Sequence, residues 1–375
     1  MTSVFCFPPE LLHQSQVAKI SYFKNITVPH RHLLSALNQL LLNLREPADT
    51  SVFFIVGPTG VGKTTLRLRT EKLLLEEFLP ELITNPGRVI VSGMEAIPAE
   101  QGKFSYKDYY IRALEAMGEV LIAYKSSYGI DYSPDSIHSS KSSFALRRAL
   151  ENVLRQRQVK AFMVDEAHHL IMMAGGHQML QQMNWIKSIA NITNTTHVLF
   201  GTYELLNCCS LSGQLSRRSE DIHLPRYHSG ITEDVTEFIR VIQTFQLHLP
   251  LPQEPKLTQW YEYLLDYSNG CVGILKTWII KALRNALTEE SKTLTLKHLK
   301  QSEYGSIRRK QLREEALAGE RRCQNETSLA TPCITKLEKI ASKKQPSQKG
   351  SVGKRHPKRD PVGKNLDANQ FVDDH

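Results

Sequence analysis

Four residues set the first chemical expectation. Gly57, Gly62, Lys63 and Thr64 fall in the order G-x-x-x-x-G-K-[ST] within "GPTGVGKTTL", directly after the apolar run "SVFFIV". Glycines let a backbone fold around an oxyanion with its N–H groups turned inward, and a helix starting near Lys63 adds the positive end of its dipole. The stretch Gly57, Pro58, Thr59, Gly60, Val61, Gly62, Lys63, Thr64 and Thr65 therefore reads as a cradle for a nucleoside triphosphate. In such a cradle Lys63 reaches the β- and γ-phosphates, and the Thr64 hydroxyl is placed to ligate Mg2+.

A second cluster matches the first. "AFMVDEAHHL" puts Asp165 and Glu166 at the end of an apolar run, where ligands of open α/β sheets gather. Asp165 would complete the Mg2+ shell, and Glu166 would polarise a water for attack on the γ-phosphate. Two adjacent carboxylates ending a buried strand are costly without a cation nearby, although solvated acids at a strand end are the plain alternative. A glutamate there favours hydrolysis over nucleotide binding alone. His168 and His169 follow at once and read as packing or solvated histidines before metal ligands. Thr202 ends "HVLFGT", where its hydroxyl can orient the attacking water, cap the helix over "YELLNCC", or do both. Arg217 and Arg218 close "LSGQLSRR", far along the chain from the loop.

These residues need a frame to hold them. Apolar runs at 51–56, 88–94, 160–167, 196–202 and 220–227 predict five strands. Helical spacing between them predicts helices from Lys63 to Phe78 and over 106–124, 143–158 and 177–191. Apolar strands separated by helices imply a parallel sheet covered on both faces. Ahead of the first strand, "HRHLLSALNQLLLNL" has the leucine spacing of an amphipathic helix. After about 230 the strands stop, and 231–247, 256–267 and 271–287 predict a small helical domain. "SIRRKQLREEALAGERR" suggests a charged, exposed helix, and the Lys-, Pro- and Ser-rich stretch from 341 cannot bury a core. The expected divisions are 1–50, an N-terminal segment; 51–229, the α/β domain; 230–303, the helical lid; 304–340, the charged extension; and 341–375, a disordered basic tail.

Of the 375 residues 41% are hydrophobic, enough for one sizeable core and a smaller one. The +9 net charge hints at a polyanionic partner. Six cysteines form no CxxC pair, so neither a zinc site nor a disulfide framework is indicated. No basic leader followed by an apolar stretch opens the chain, and no run approaches the roughly 18 apolar residues of a membrane span. The expectation is a soluble protein of the cytoplasm.

The order of parts resembles the AAA+ ATPases, in which one strand separates the loop from the acid pair and a helical lid closes the chain. That resemblance implies ATP and Mg2+ as cofactors. It also implies that Arg218, or next Arg217, is the finger that reaches the nucleotide of a neighbouring subunit, unless both are plain surface arginines. "SNGCVGILKTWI" resembles the sensor-two helix, with Lys276 where an arginine is more usual. The "LSGQ" is superficially like the ABC-transporter signature, which should precede the acidic strand and here follows it. "ITVPHRHLLSALNQLL", "FMVDEAHHL" and "VLFGTYELL…GQLSRRSEDIHLPRY" are similar to the TnsC/TniB group of transposition regulators over about residues 25–285.

The implied fold is an AAA+ P-loop parallel sheet covered by helices, with a C-terminal helical lid and a disordered basic tail. The implied role is ATP-dependent self-assembly on double-stranded DNA, often as a helical filament in a bacterial cytoplasm. Such an assembly marks a target for a transposase of the TnsB type, in some members through a TniQ-type adaptor beside a CRISPR effector. If so, most contacts are to phosphates. Lys103, Lys107, Arg147 and Arg148 are the candidates, with ordinary surface charge as the alternative. The tail from Lys343 to Lys364 could add DNA contact, dock a partner or only solubilise. Two rival functions are an origin-recognition or helicase-loading ATPase and a nucleotide-switched signalling ATPase.

Overall fold

The computed structural model describes residues 6–98, 104–122, 140–171, 176–209 and 219–329. Five strands, β1 (Val52–Val56), β2 (Val91–Glu95), β3 (Ala161–Asp165), β4 (Thr196–Gly201) and β5 (Ser219–His223), pair in the order β2-β3-β4-β1-β5. Every pair is parallel, and Val56 lies beside Gly201 while Glu95 lies beside Asp165. The chain therefore leaves β1 for the far edge of the sheet and returns through β3 and β4. That path brings the ends of β1, β4 and β3 side by side on one rim, which is where sheets of this kind hold ligands.

All residues of β1, β3 and β4 are buried, whereas β2 and β5 at the edges are only partly so. Alternate side chains feed two layers. Phe53, Ile55, Met163 and Phe200 pack under α2 (Arg31–Arg45) and α3 (Lys63–Glu77) through Leu37, Leu40, Leu41 and Leu66. Phe54, Val56, Phe162 and Leu199 pack under α5 (Tyr106–Ala116), α6 (Ser140–Gln156) and α7 (Gly176–Thr193). Continuous apolar strands follow from this double burial. Two shorter helices, α4 (Leu79–Thr84) and α8 (Leu206–Cys209), follow α3 and β4.

A third cluster has no strands. α9 (Thr232–Leu247), α10 (Tyr261–Tyr267), α11 (Val272–Thr288) and α12 (Leu296–Ser302) surround Trp278, Phe238 and Phe245. The N-terminal α1 (Gln16–Asn25) joins them through Phe23, so α1 and α2, only five residues apart, serve different cores.

The charged helix α13 (Ser306–Leu329) is present but not wholly exposed as its composition suggested. Ala316, Gly319 and Glu320 are buried, and Arg226 clamps Glu320 through bonds of 2.7 and 3.0 Å. The partner that buries this carboxylate is 94 residues away in sequence, beyond the reach of a local reading. Among the described residues, no helix is long and apolar enough to cross a membrane.

Candidate nucleotide site

Gly62 caps the start of α3 with φ of 116°, a conformation that side-chain-bearing residues avoid. A Cβ there would meet nothing within 4 Å, so the loop curls around open space at the helix N-terminus. Thr64 is exposed on the first turn of α3 beside that space. Lys63 is 7% exposed, and its ammonium donates to the carbonyls of Gly57 and Pro58, both at 3.0 Å. An ammonium has three donors, and two are spent on the loop itself. Burial pulls its pKa below the usual lysine value, while Glu166 and Asp165 push the other way. An incoming phosphate would add to that opposition and hold the charge.

Asp165 is 4% exposed at the tip of β3. Its Oδ1 accepts the backbone N–H of Glu166 at 2.9 Å, and its Oδ2 lies 3.5 Å from Nε of Arg67. Arg67 is in turn bound to Glu71 at 2.5 Å. Glu166 itself takes a left-handed backbone, φ 48° and ψ 34°. A residue with a Cβ spends of order 1–3 kcal/mol to hold that conformation, and such strain gathers at working sites. The turn leaves its carboxylate partly exposed, 3.3 Å from Nδ1 of His168.

His168 is pushed down to about 4, first by burial and then by the neighbouring His169, so at neutral pH the Glu166 carboxylate faces an uncharged ring. The two histidine rings pack against each other with centroids 4.2 Å apart.

Thr202 follows β4. Its carbonyl accepts the N–H of Leu205 at 3.1 Å, but its hydroxyl makes no capping bond. That Oγ1 is buried without a partner among the described residues. A buried hydroxyl left unsatisfied costs about 1–3 kcal/mol, so its orientation is better explained by a ligand than by the helix it precedes. Lys63, Asp165 and Thr202 thus line one rim, and the orphaned hydroxyl and the Gly62 cradle both fit a Mg2+–nucleoside triphosphate. Thr64 and Asp165 are the groups that would hold the metal.

The remaining candidates divide. The helical cluster touches the loop through the backbone, with Gly273 N donating to Gly60 O at 2.8 Å and Ile274 packed beside it. Lys276, one turn further along α11, instead donates to the carbonyl of Lys24 at 2.6 Å. Arg147 is held by Glu151 at 2.8 Å and by the Ser188 hydroxyl at 2.9 Å. Arg148 is exposed and lines a groove of about 400 Å3 with Arg157 and Asn152. Lys107 is half-buried on α5. Lys103, Arg217, Arg218 and the tail from Lys343 to Lys364 lie outside the described residues.

Two features escaped the sequence reading. Arg67 beside Asp165 could have been suspected from the Arg67–Glu71 spacing of four, which puts both on one helical face. The other is a cavity of about 570 Å3 bounded by Thr59, His168 and Thr202 on one side and by Glu315, Ala316 and Arg322 of α13 on the other. Nothing local marks it, because its walls are more than a hundred residues apart.

Residues 45–209 match the family model described as an AAA domain, a span that holds the loop, the acid pair and Thr202. No curated protein matches the chain. Among solved structures, the Aeropyrum pernix ORC1 protein in complex with DNA is similar, with a TM-score of 0.51 at 15% identity over 80% of this chain and 70% of that one. The Aeropyrum pernix ORC2 protein in its ADPNP–ADP complexes gives 0.49 at 14% over 75% and 70%. The Thermotoga maritima RuvB Holliday junction branch migration motor gives 0.37 at 14% over 72% and 67%. At such identities a likeness is one of fold. The chain thus has an AAA+ P-loop fold, and residues 45–209 are similar to an AAA domain.

Proposed function

We propose that this chain is an ATP-hydrolysing AAA+ regulator of the TnsC/TniB type. In this reading it assembles on double-stranded target DNA, recruits and activates a transposase, and is released by hydrolysis. The observation that carries the ATPase part is the placing of Lys63, Asp165 and the unpartnered Thr202 hydroxyl after the adjacent strands β1, β3 and β4, on one edge of the sheet. Bound Mg2+–ATP would supply the electrophilic phosphorus. The protein's part is to hold the phosphates with Lys63 and the loop amides, to hold the metal with Thr64 and Asp165, and to orient a water with Glu166 and Thr202. Developing charge on the γ-phosphate calls for one more cation, and Arg218 or Arg217 of a second copy is assigned that role.

The DNA part rests on the sequence motifs and the +9 charge, and it is supported by a similar fold having been captured on DNA in the ORC1 protein. Arg148 is the strongest of the four candidate phosphate contacts, because Arg147 already has two partners. The transposase and the TniQ-type adaptor follow from the motif resemblance alone. An origin-recognition role is the second reading, carried by the same fold likeness.

The test is electron microscopy and sedimentation with a non-hydrolysable ATP analogue and plain duplex DNA. Oligomers that need both are expected, with Lys63→Ala unable to form them and Glu166→Gln unable to release them. A chain that stays monomeric with both ligands in low salt sinks the reading. Oligomers that form on duplex but load a helicase rather than engage a transposase would favour the second one.

A further inference from the structure

The site has two flanks, and one of them is covered by α13, the last described helix. α13 presents Leu312, Ala316, Gly319, Glu320 and Cys323, a stripe at helical spacing, toward the end of β4 and the segment after β5. Gly319 lies so close to the Tyr203 ring that a Cβ would sit 1.9 Å from it. Tyr203 is the residue after Thr202 and donates to or accepts from His223 at 2.9 Å. Further along, Arg226 grips Glu320 with both residues' side chains 9% exposed, and Arg322 reaches Asn207 at 3.3 Å. α13 is therefore laid beside the part of the rim formed by Thr59 and Thr202.

The cavity left beneath it is bounded by Thr59, His168 and Thr202, with Glu204 and Glu315 adding two carboxylates. Its one cation among the described lining residues is Arg322, which α13 itself brings. When α13 leaves, Glu315 and Arg322 leave with it, and the Glu204 carboxylate that stays beside Thr202 and His168 is the charge an incoming guanidinium would meet. In the closed chain, α13 stands in its way.

The attachment is of a kind that releases. α11 buries nine residues from Val272 to Leu287, whereas among its described side chains α13 fully buries only Ala316, Gly319 and Glu320, with Cys323 partly buried against the core and Arg309 stacked on Tyr267. A buried ion pair returns to water at little net cost, because rehydration offsets the lost attraction. Segments with few buried apolar contacts are the ones that open first.

We propose that α13 is an intramolecular occupant of the surface on which a second copy of this chain docks its arginine, and that it must leave before copies can join. The proposal rests on the reading that the nucleotide is shared between copies. It adds that the isolated chain is held closed at that face by Arg226–Glu320 and by the fit of Gly319 against Tyr203.

Two full-length variants loosen α13 by different means. Glu320→Ala removes the ion pair, and Gly319→Leu forces a side chain into the Tyr203 ring. Both should assemble with the ATP analogue and duplex DNA at roughly tenfold lower protein concentration than the parent, as a shifted two-state equilibrium requires. In the unmodified chain, hydrogen exchange across 306–324 should be slow alone and fast in the assembly. Assembly with α13 equally protected before and after, and with neither variant shifting the threshold, overturns this proposal and leaves the function standing. If parent and variants alike never assemble, both fall together.

Discussion

The two flanks of the phosphate loop are built on different physics. On the lid side, the loop is joined by a backbone hydrogen bond from Gly273 to Gly60, and behind it α11 sits in a core around Trp278. On the α13 side, the join is mostly polar: the Arg226–Glu320 ion pair, a glycine fitted to a ring, Arg309 stacked on Tyr267 and Arg322 on Asn207, with Cys323 its partly buried contact with the core. Apolar burial is non-directional and grows with area, so the lid side is expensive to open. Polar closure depends on a few geometries that water can replace. One flank is thereby a fixed wall, and the other is a surface that can be exchanged.

The sharpest way to break this contrast is stability. Trp278 is 1% exposed, so Trp278→Ala should cost about 3–5 kcal/mol in denaturant unfolding. Leu317 on α13 is exposed, and Leu317→Ala should stay within about 0.5 kcal/mol. Equal losses would mean that α13 belongs to the core.

Chemistry sharpens it next. Thr202→Val keeps the shape and deletes the hydroxyl that has no structural partner. ATP turnover should fall by about a hundredfold, the scale of one lost preorganised donor, with the melting temperature unchanged or raised. A Val variant that turns over normally would show that this hydroxyl faces nothing reactive.

Acid should strain both flanks and the sheet between them. His30, His168 and His197 are each lowered from 6.5 to about 4, in every case chiefly by burial. The unfolded chain then binds more protons than the folded one between pH 6.5 and 4, so stability falls as pH drops through that window and levels off below it. Melting temperature measured across the window should show the slope, and His197→Gln should reduce it. A flat profile would mean that these rings take up protons while folded.

The smallest effect separates neighbours on α6. Arg148→Ala should weaken DNA binding and lower the salt slope by about one. Arg147→Ala should leave that slope unchanged and cost a little stability, since Glu151 and Ser188 lose their partner. The reverse pattern would move the DNA face to the other side of the helix.

Much of this was legible in the residues themselves. Continuous apolar runs announced buried parallel strands; β1, β3 and β4 fall inside the expected runs, while β2 runs one residue past its run to Glu95 and β5 starts one residue early at Ser219. Boundaries moved inward where pairing stops, as at β2, which begins at Val91 rather than Arg88. The helix expected over 106–124 ends at Ala116, because Gly118 turns the chain with φ of 70°. Thr202 could be narrowed no further than two roles by its position. The structure shows that its hydroxyl does not cap the helix it precedes.

What the sequence determined alone was local: a glycine loop whose spacing suits an anion, a pair of acids at the end of an apolar run, and periods that choose strand or helix. What the tertiary structure decided was meeting. Strand order β2-β3-β4-β1-β5 places Thr202 between the loop and the acids, and a pair 94 residues apart lays α13 over their outer side. Local preference acts over a few residues, whereas a long-range contact is chosen by the burial and pairing of the whole chain. No window of neighbouring residues contains that choice.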